Sequence, residues 1–162
     1  MGYRNKTYVA FDGDNDMWAY AFMKGWNARE HIDFNFHDAH TISELTYRAQ
    51  DEYYIKSVLR ELQKAAKQFI ILVGESTKYL RKYVRWEIEF AINLNLPIIV
   101  ANLNGINGID RTLCPTPLRN QVAIHGPFKK AYIKQALDDF AAKYNTYLQK
   151  FSGPVHYNQT FH

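Results

Sequence analysis

Two short runs of the chain are apolar at nearly every position. They are residues 69–74 (Phe69, Ile70, Ile71, Leu72, Val73, Gly74) and residues 97–101 (Pro97, Ile98, Ile99, Val100, Ala101). Strands covered on both faces read this way, and a parallel sheet supplies that cover. The segment between them, residues 80–95, places Val84, Ile88, Ala91 and Ile92 on one face at about 100° per residue and predicts a helix. Upstream, residues 7–11 are β-rich and stop at Asp12-Gly13-Asp14-Asn15-Asp16. This predicts a strand, a polar turn and a helix over 17–26 with Asp16 as its N-cap. Residues 33–36 alternate and predict a short second strand, with a polar loop over 37–50. Ile55, Val58, Leu59 and Leu62 share one face of a helix predicted over 51–66.

Beyond the second apolar run, residues 102–119 are rich in Gly, Asn and Pro and predict a long loop. A weak last strand is expected over 121–124 and a long C-terminal helix over 128–151. The inner stripe of that helix would be Tyr132, Ile133, Ala136, Leu137, Phe140, Tyr144 and Leu148. Residues 152–162 are expected to form a loose tail. Strand and helix alternate five times, and a strand-helix-strand unit is almost always right-handed. The expected fold class is α/β: a single doubly wound, mostly parallel five-stranded sheet of the flavodoxin-like kind, with one domain over 1–151 and a tail over 152–162. Such sheets bind ligands beyond the carboxyl ends of their strands, which directs attention to the turns after Phe11, Phe36, Gly74 and Ala101.

Composition narrows the function classes. The 162 residues are 47% hydrophobic and 22% charged, which excludes disorder or collagen-like structure for the bulk. No stretch approaches the roughly 18 apolar residues of a membrane span, and no apolar run follows the N-terminus as a secretory signal would. The single cysteine, Cys114, excludes an intrachain disulfide and a cysteine-based zinc site and fits a reducing, cytoplasmic setting. Net charge is +4, with 8 basic and 2 acidic residues between positions 56 and 85. With few interleaved aromatics before Tyr79 and no nucleic-acid motif, this stripe is expected to be the solvated face of helices, and nucleic acid is not expected as a partner.

Candidate chemistry centres on the helix around residues 83–92. Glu87 falls at the edge of its core-facing stripe, where a carboxylate can be half-buried and oriented by its neighbours. Trp86 and Phe90 lie opposite that stripe, where exposed rings would mark a contact with a ligand or another chain.

The run from Phe69 through Glu75-Ser76-Thr77 and Trp86-Glu87-Ile88-Glu89 to Ile92, followed by residues 96–103, resembles a TIR domain. It is most similar to the bacterial TIR-like group that includes the Thoeris anti-phage proteins. Tyr8-Val9-Ala10-Phe11 with the acidic turn behind it resembles the family's opening strand, and Phe36-His37-Asp38 the end of its second. The resemblance covers residues 7–125. It implies an enzyme that cleaves the nicotinamide–ribose bond of NAD, as a glycohydrolase or an ADP-ribosyl cyclase, in anti-phage signalling. NAD would be a substrate, with no cofactor and no metal. It further implies Glu87 as the catalytic carboxylate, stabilising positive charge on the ribose. Phe11 and Asp12 would line the nucleotide, Ser76 would contact ribose or phosphate, and Trp86 would stack on a ring. Self-association is implied, as is a separate effector protein that senses the product. The chain departs from the common pattern at Ala10, where many members have Ser.

Other readings compete. A non-catalytic TIR-like interaction module would use Trp86 and Phe90 as its binding patch. A nucleoside deoxyribosyltransferase-like enzyme would also break an N-glycosidic bond with a Glu on a flavodoxin-like sheet. A phosphorelay receiver needs an acceptor Asp where this chain has Val73-Gly74-Glu75-Ser76. His31, His37, Asp38 and His40 cluster in sequence, but at no standard zinc spacing. Cys114 with His125 would be a nucleophile pair, against the simpler expectation of a packed thiol. A Gly-rich dinucleotide fingerprint is missing, since Gly13 stands alone after the first strand.

Overall fold

The computed structural model describes residues 7–30, 36–37, 52–80 and 83–162. Five parallel strands form one sheet in the order β2-β1-β3-β4-β5. They are β1 (Thr7–Ala10), β2 (Phe36–His37), β3 (Gln68–Val73), β4 (Ile98–Asn102) and β5 (Ile124–Pro127). The order reverses between β1 and β3, which is the switch point of a doubly wound sheet.

Alternation along the central strands divides the core into two layers. Tyr8, Ala10, Phe69, Ile71 and Val73 face one side, with Leu59 of α2 (Glu52–Lys64) and Val84, Ile88 and Ala91 of α3 (Tyr83–Asn93). Val9, Phe11, Ile70 and Leu72 face the other. There they meet Ala19, Tyr20 and Met23 of α1 (Met17–Glu30) and Tyr132 and Ile133 of α4 (Lys130–Gln135). Every residue of β3 is buried, as its unbroken apolar run predicts.

The link from α3 to β4 is set by local chemistry. Asn95 adopts φ 55°, in the left-handed region that Asn tolerates best after Gly. The Leu96 N–H then reaches back to the Ala91 carbonyl at 3.1 Å, closing the helix before Pro97 starts the next strand.

Three C-terminal expectations are corrected. The last strand is Ile124–Pro127, three residues later than the predicted run, because Ala123 and Ile124 already sit in the core and His125, Gly126 and Pro127 continue the pairing with β4. The single long helix is instead α4, a π-helical segment (Ala136–Ala141) and α5 (Tyr144–Lys150). The wider winding moves Tyr147 onto Phe140, at 4.9 Å between ring centroids, and leaves Leu148 exposed. Residues 152–162 are not loose. Val155 is buried and bridges Ile124 in parallel, with the His125 N–H bonded to the Val155 carbonyl at 2.8 Å and the Val155 N–H to Ala123 at 2.9 Å. Tyr157 and Phe161 pack edge-on against Tyr132. Tyr157 and Tyr147 both donate to Asp139 Oδ2, at 2.8 and 2.5 Å, which pins the segment to the π-helical turn.

Candidate functional site

The acidic turn after β1 and the Ser-Thr turn after β3 meet at the carboxyl edge of the sheet. Asp12 is their hub. Its Oδ1 accepts the Asp14 N–H at 3.0 Å, and its Oδ2 accepts the Asn15 amide at 2.8 Å and the Ser76 hydroxyl at 2.6 Å. Asn15 also donates to Ser76 Oγ at 3.2 Å. Burial works to raise the Asp12 carboxyl, but the donors from Asn15, Ser76 and Asp14 outweigh it and hold it below its ordinary value.

Asp16 stands just before α1, as the sequence predicts for a cap, with its carbonyl accepting the Ala19 N–H at 3.0 Å. Its carboxyl is buried and Oδ2 has no hydrogen-bond partner. Burial raises its pKa, and the neighbouring charges of Asp12 and Glu75 add to that. The carboxyl lies against Gly74, where an added Cβ would come within 2.5 Å of Oδ2. Glycine at this position is what lets the start of α1 close onto the end of β3.

Glu87 lies on α3, about one helical turn in from its start, and is 6% exposed. Its carboxyl turns into the layer shared with β1. The Tyr8 hydroxyl donates to Glu87 Oε2 at 2.5 Å, across 79 residues of sequence. Tyr8 is fully buried, its ring stacked on Phe69 at 5.6 Å. From α2, Gln63 donates its amide to the Glu87 main-chain carbonyl at 2.7 Å. Among the described residues no cation neutralises the carboxyl, and burial pushes it up to about 8, with the Tyr8 hydrogen bond opposing that rise. Burial and the nearby Glu87 in turn hold the Tyr8 phenol well above its ordinary value. Near neutral pH the pair is Tyr–OH against a mostly protonated carboxyl.

The sequence-predicted residues therefore fall into several places. Asp12 and Ser76 are joined directly. Glu87 is partnered with Tyr8, a residue that sequence reasoning passed over, as it did Gln63 and Asn15. Only the inward position of Tyr8 among apolar neighbours could have flagged it. Phe11 faces the opposite layer from Glu87, buried and edge-on to Tyr20 at 4.8 Å.

Trp86 and Phe90 do not form the exposed patch expected of them. Phe90 is buried and Trp86 half-buried, because α2 runs alongside α3 and lays its basic side chains over the rings. The Lys56 ammonium sits 4.7 Å from the Trp86 ring centre, and the Arg60 guanidinium 5.0 Å from that of Phe90. Part of the basic stripe is thus a cover for aromatic surface.

Cys114 is buried, with burial raising its thiol to about 11. His125 is fully buried, both ring nitrogens lack partners, and burial followed by His156 lowers it to about 4. Neither state suits a thiolate–imidazolium pair. Of the histidine cluster, His31, Asp38 and His40 lie outside the described residues. Among the described residues, no group of three or more His, Cys, Asp or Glu is arranged to hold a metal ion.

The sequence profile of the family described as Thoeris protein ThsB, TIR-like domain, matches residues 8–107. The chain belongs to this family. The match takes in β1, both edge turns, α2, β3, α3 and β4, so Tyr8, Asp12, Ser76 and Glu87 all lie inside it. Membership ties the TIR-like domain to a defence-associated role. No curated protein matches the chain. No helix among the described residues is long and apolar enough to cross a membrane.

Proposed function

We propose that this TIR-like domain cleaves the bond between nicotinamide and ribose in NAD, with Glu87 as the reacting carboxylate. One observation carries the proposal. A glutamate in the Glu-Ile pair of a TIR-like helix is buried with no cationic partner among the described residues, a costly arrangement that is concentrated at functional sites.

The substrate supplies the missing cation. The nicotinamide ring of NAD is a pyridinium, and its approach favours the ionised form of Glu87, whose proton passes to solvent water. The C1′–N bond then breaks with its electron pair going to nicotinamide, which leaves neutral. Positive charge develops on the ribose ring, and the adjacent carboxylate stabilises it electrostatically. Water captures the ribosyl cation and loses a proton to give ADP-ribose. Alternatively, a nucleophile within the same ADP-ribose captures it and gives a cyclic product. Asp12 and Ser76, at the carboxyl edge, are suited to the hydroxyls of the nucleotide, and Trp86 to an aromatic ring supplied through self-association.

A cyclic product would act as a signal in anti-phage defence, read by a separate effector protein in the same cytoplasm. The protein incubated with NAD, alone and with lysate from phage-infected cells, should release nicotinamide. The mass of the second product separates the two outcomes, since a cyclic form is lighter than ADP-ribose by one water. An intact NAD pool under both conditions, from folded protein, would contradict the proposal.

A further inference from the structure

We infer that Tyr8 is the positioning residue of Glu87: its hydroxyl holds Oε2, fixes the carboxyl in one orientation and leaves Oε1 as the oxygen that exchanges a proton and faces the reacting ribose. The inference rests on the assignment of Glu87 above.

The geometry constrains both partners. Tyr8 sits in the second position of β1, paired in register with Phe69 on one side and His37 on the other, so its backbone is fixed by the sheet. Its ring is fully buried and stacked on Phe69, which holds the hydroxyl against Glu87 Oε2. Glu87 is fixed from the other side, because Gln63 grips its main-chain carbonyl from α2. The next residue on the Tyr8 face toward the carboxyl edge is Ala10, which contributes only a methyl group to that side of the pair. A buried carboxyl held at one oxygen by a neutral donor keeps its second oxygen for other chemistry. A salt bridge to Arg would have occupied both.

Among the described residues, the charged groups of the elements packed on the pair are engaged elsewhere. On α3 itself, Arg85 is taken by Glu89 at 2.9 Å on the exposed side. From α2, Lys56 and Arg60 lie over Trp86 and Phe90, Lys64 pairs with Glu61, and the residue facing Glu87 is the uncharged Gln63. From β3 come only Phe69, Ile71 and Val73 on this face. The turn Thr116–Leu118 contributes the buried Leu118, and the following Arg119 donates to the Cys114 carbonyl. Among the described residues, Tyr8 is the hydrogen-bonding side chain that acts on the carboxyl's acidity.

Tyr8→Phe keeps the ring and its stacking and removes only the hydroxyl. The lost hydrogen bond favoured the carboxylate, so Glu87 should ionise at a pH roughly 1 to 2 units higher in the variant. The test has two arms. Protein labelled with ¹³C at the glutamate carboxyls is titrated by NMR, with the Glu87 signal assigned by its loss in Glu87→Gln. The wild-type signal should move near pH 8 and the Tyr8→Phe signal higher. Equal titration in both overturns the inference, and so does a Glu87 carboxyl that is ionised at neutral pH in both. The second arm follows nicotinamide release from NAD against pH. The variant's kcat should fall about tenfold or more at pH 7, with KM little changed, and recover at higher pH. A loss uniform across pH, as from a merely loosened fold, overturns it. The NMR arm needs no turnover, so failure of the NAD assignment and failure of the Tyr8 inference are separable.

Discussion

Ser76 donates its hydroxyl hydrogen to Asp12 Oδ2 at 2.6 Å and so ties the turn after β3 to the turn after β1 at the carboxyl edge. The two residues are 64 positions apart, and the bond exists only because β1 and β3 are neighbours in the sheet. Ser76→Ala should remove about 1 kcal/mol of stability, a fall in Tm of about 2–4 °C by calorimetry. It should also let the Asp12 carboxyl titrate at higher pH. If the edge binds the nucleotide, KM for NAD should rise more than kcat falls.

Gly126 carries a different constraint. The Tyr132 ring lies so close that a Cβ on Gly126 would be 2.2 Å from one ring carbon. The ring cannot step aside, because it is fully buried and its hydroxyl donates to the carbonyls of Val100 at 2.7 Å and Ile124 at 3.1 Å. Gly126→Ala should therefore cost about 2 kcal/mol or more, read as a lowered denaturant midpoint. An unchanged midpoint would mean that β5 and α4 are not packed as described.

How much of this was legible in the sequence depends on how local each determinant is. The runs at 69–74 and 97–101 announce buried parallel strands because each residue's own apolarity suffices. The same holds for the turn at Asp12–Asp16. Trp86 and Phe90 were misjudged because helical periodicity describes one helix alone. Whether a ring opposite the core stripe meets solvent or the stems of Lys56 and Arg60 depends on where α2 lies. The tail was misjudged for a related reason. Val155, Tyr157 and Phe161 are isolated apolar residues with no period, and their partners Ile124 and Tyr132 lie more than twenty residues earlier. At the candidate site, Glu87 was visible from its helix position. Tyr8 was not, because its inward position among apolar neighbours is shared by tyrosines that only fill space.

The C-terminal segment therefore makes its own prediction. Ending the chain after Phe151 removes one main-chain bond to β5 and one to Ala123 just before it, and uncovers the Tyr132 ring. The shortened protein should lose about 2 kcal/mol or more and melt several degrees lower. A loose tail would leave Tm unchanged.

Glu87 links stability to pH with a definite sign. Its carboxyl ionises near 8 in the folded protein against an ordinary 4.5, so between those values the native state holds a proton that the unfolded chain has lost. The stabilisation is complete below about pH 4.5 and is lost as pH rises through about 8. Glu87→Gln cannot ionise. It should match the wild type near pH 4.5 and exceed it above pH 8, by an amount on the order of a few kcal/mol. Parallel Tm curves for the two proteins from pH 5 to 9 would contradict the burial of Glu87 without a cation.

The most direct test of the central claim compares nicotinamide release from NAD by the wild type and by Glu87→Gln, both shown to be folded, in the presence of infected-cell lysate. The account predicts release by the wild type and a loss of at least about a hundredfold in the variant, which keeps the shape of the carboxyl but not its charge. Release at equal rates by both proteins would remove Glu87 from the chemistry and contradict the account.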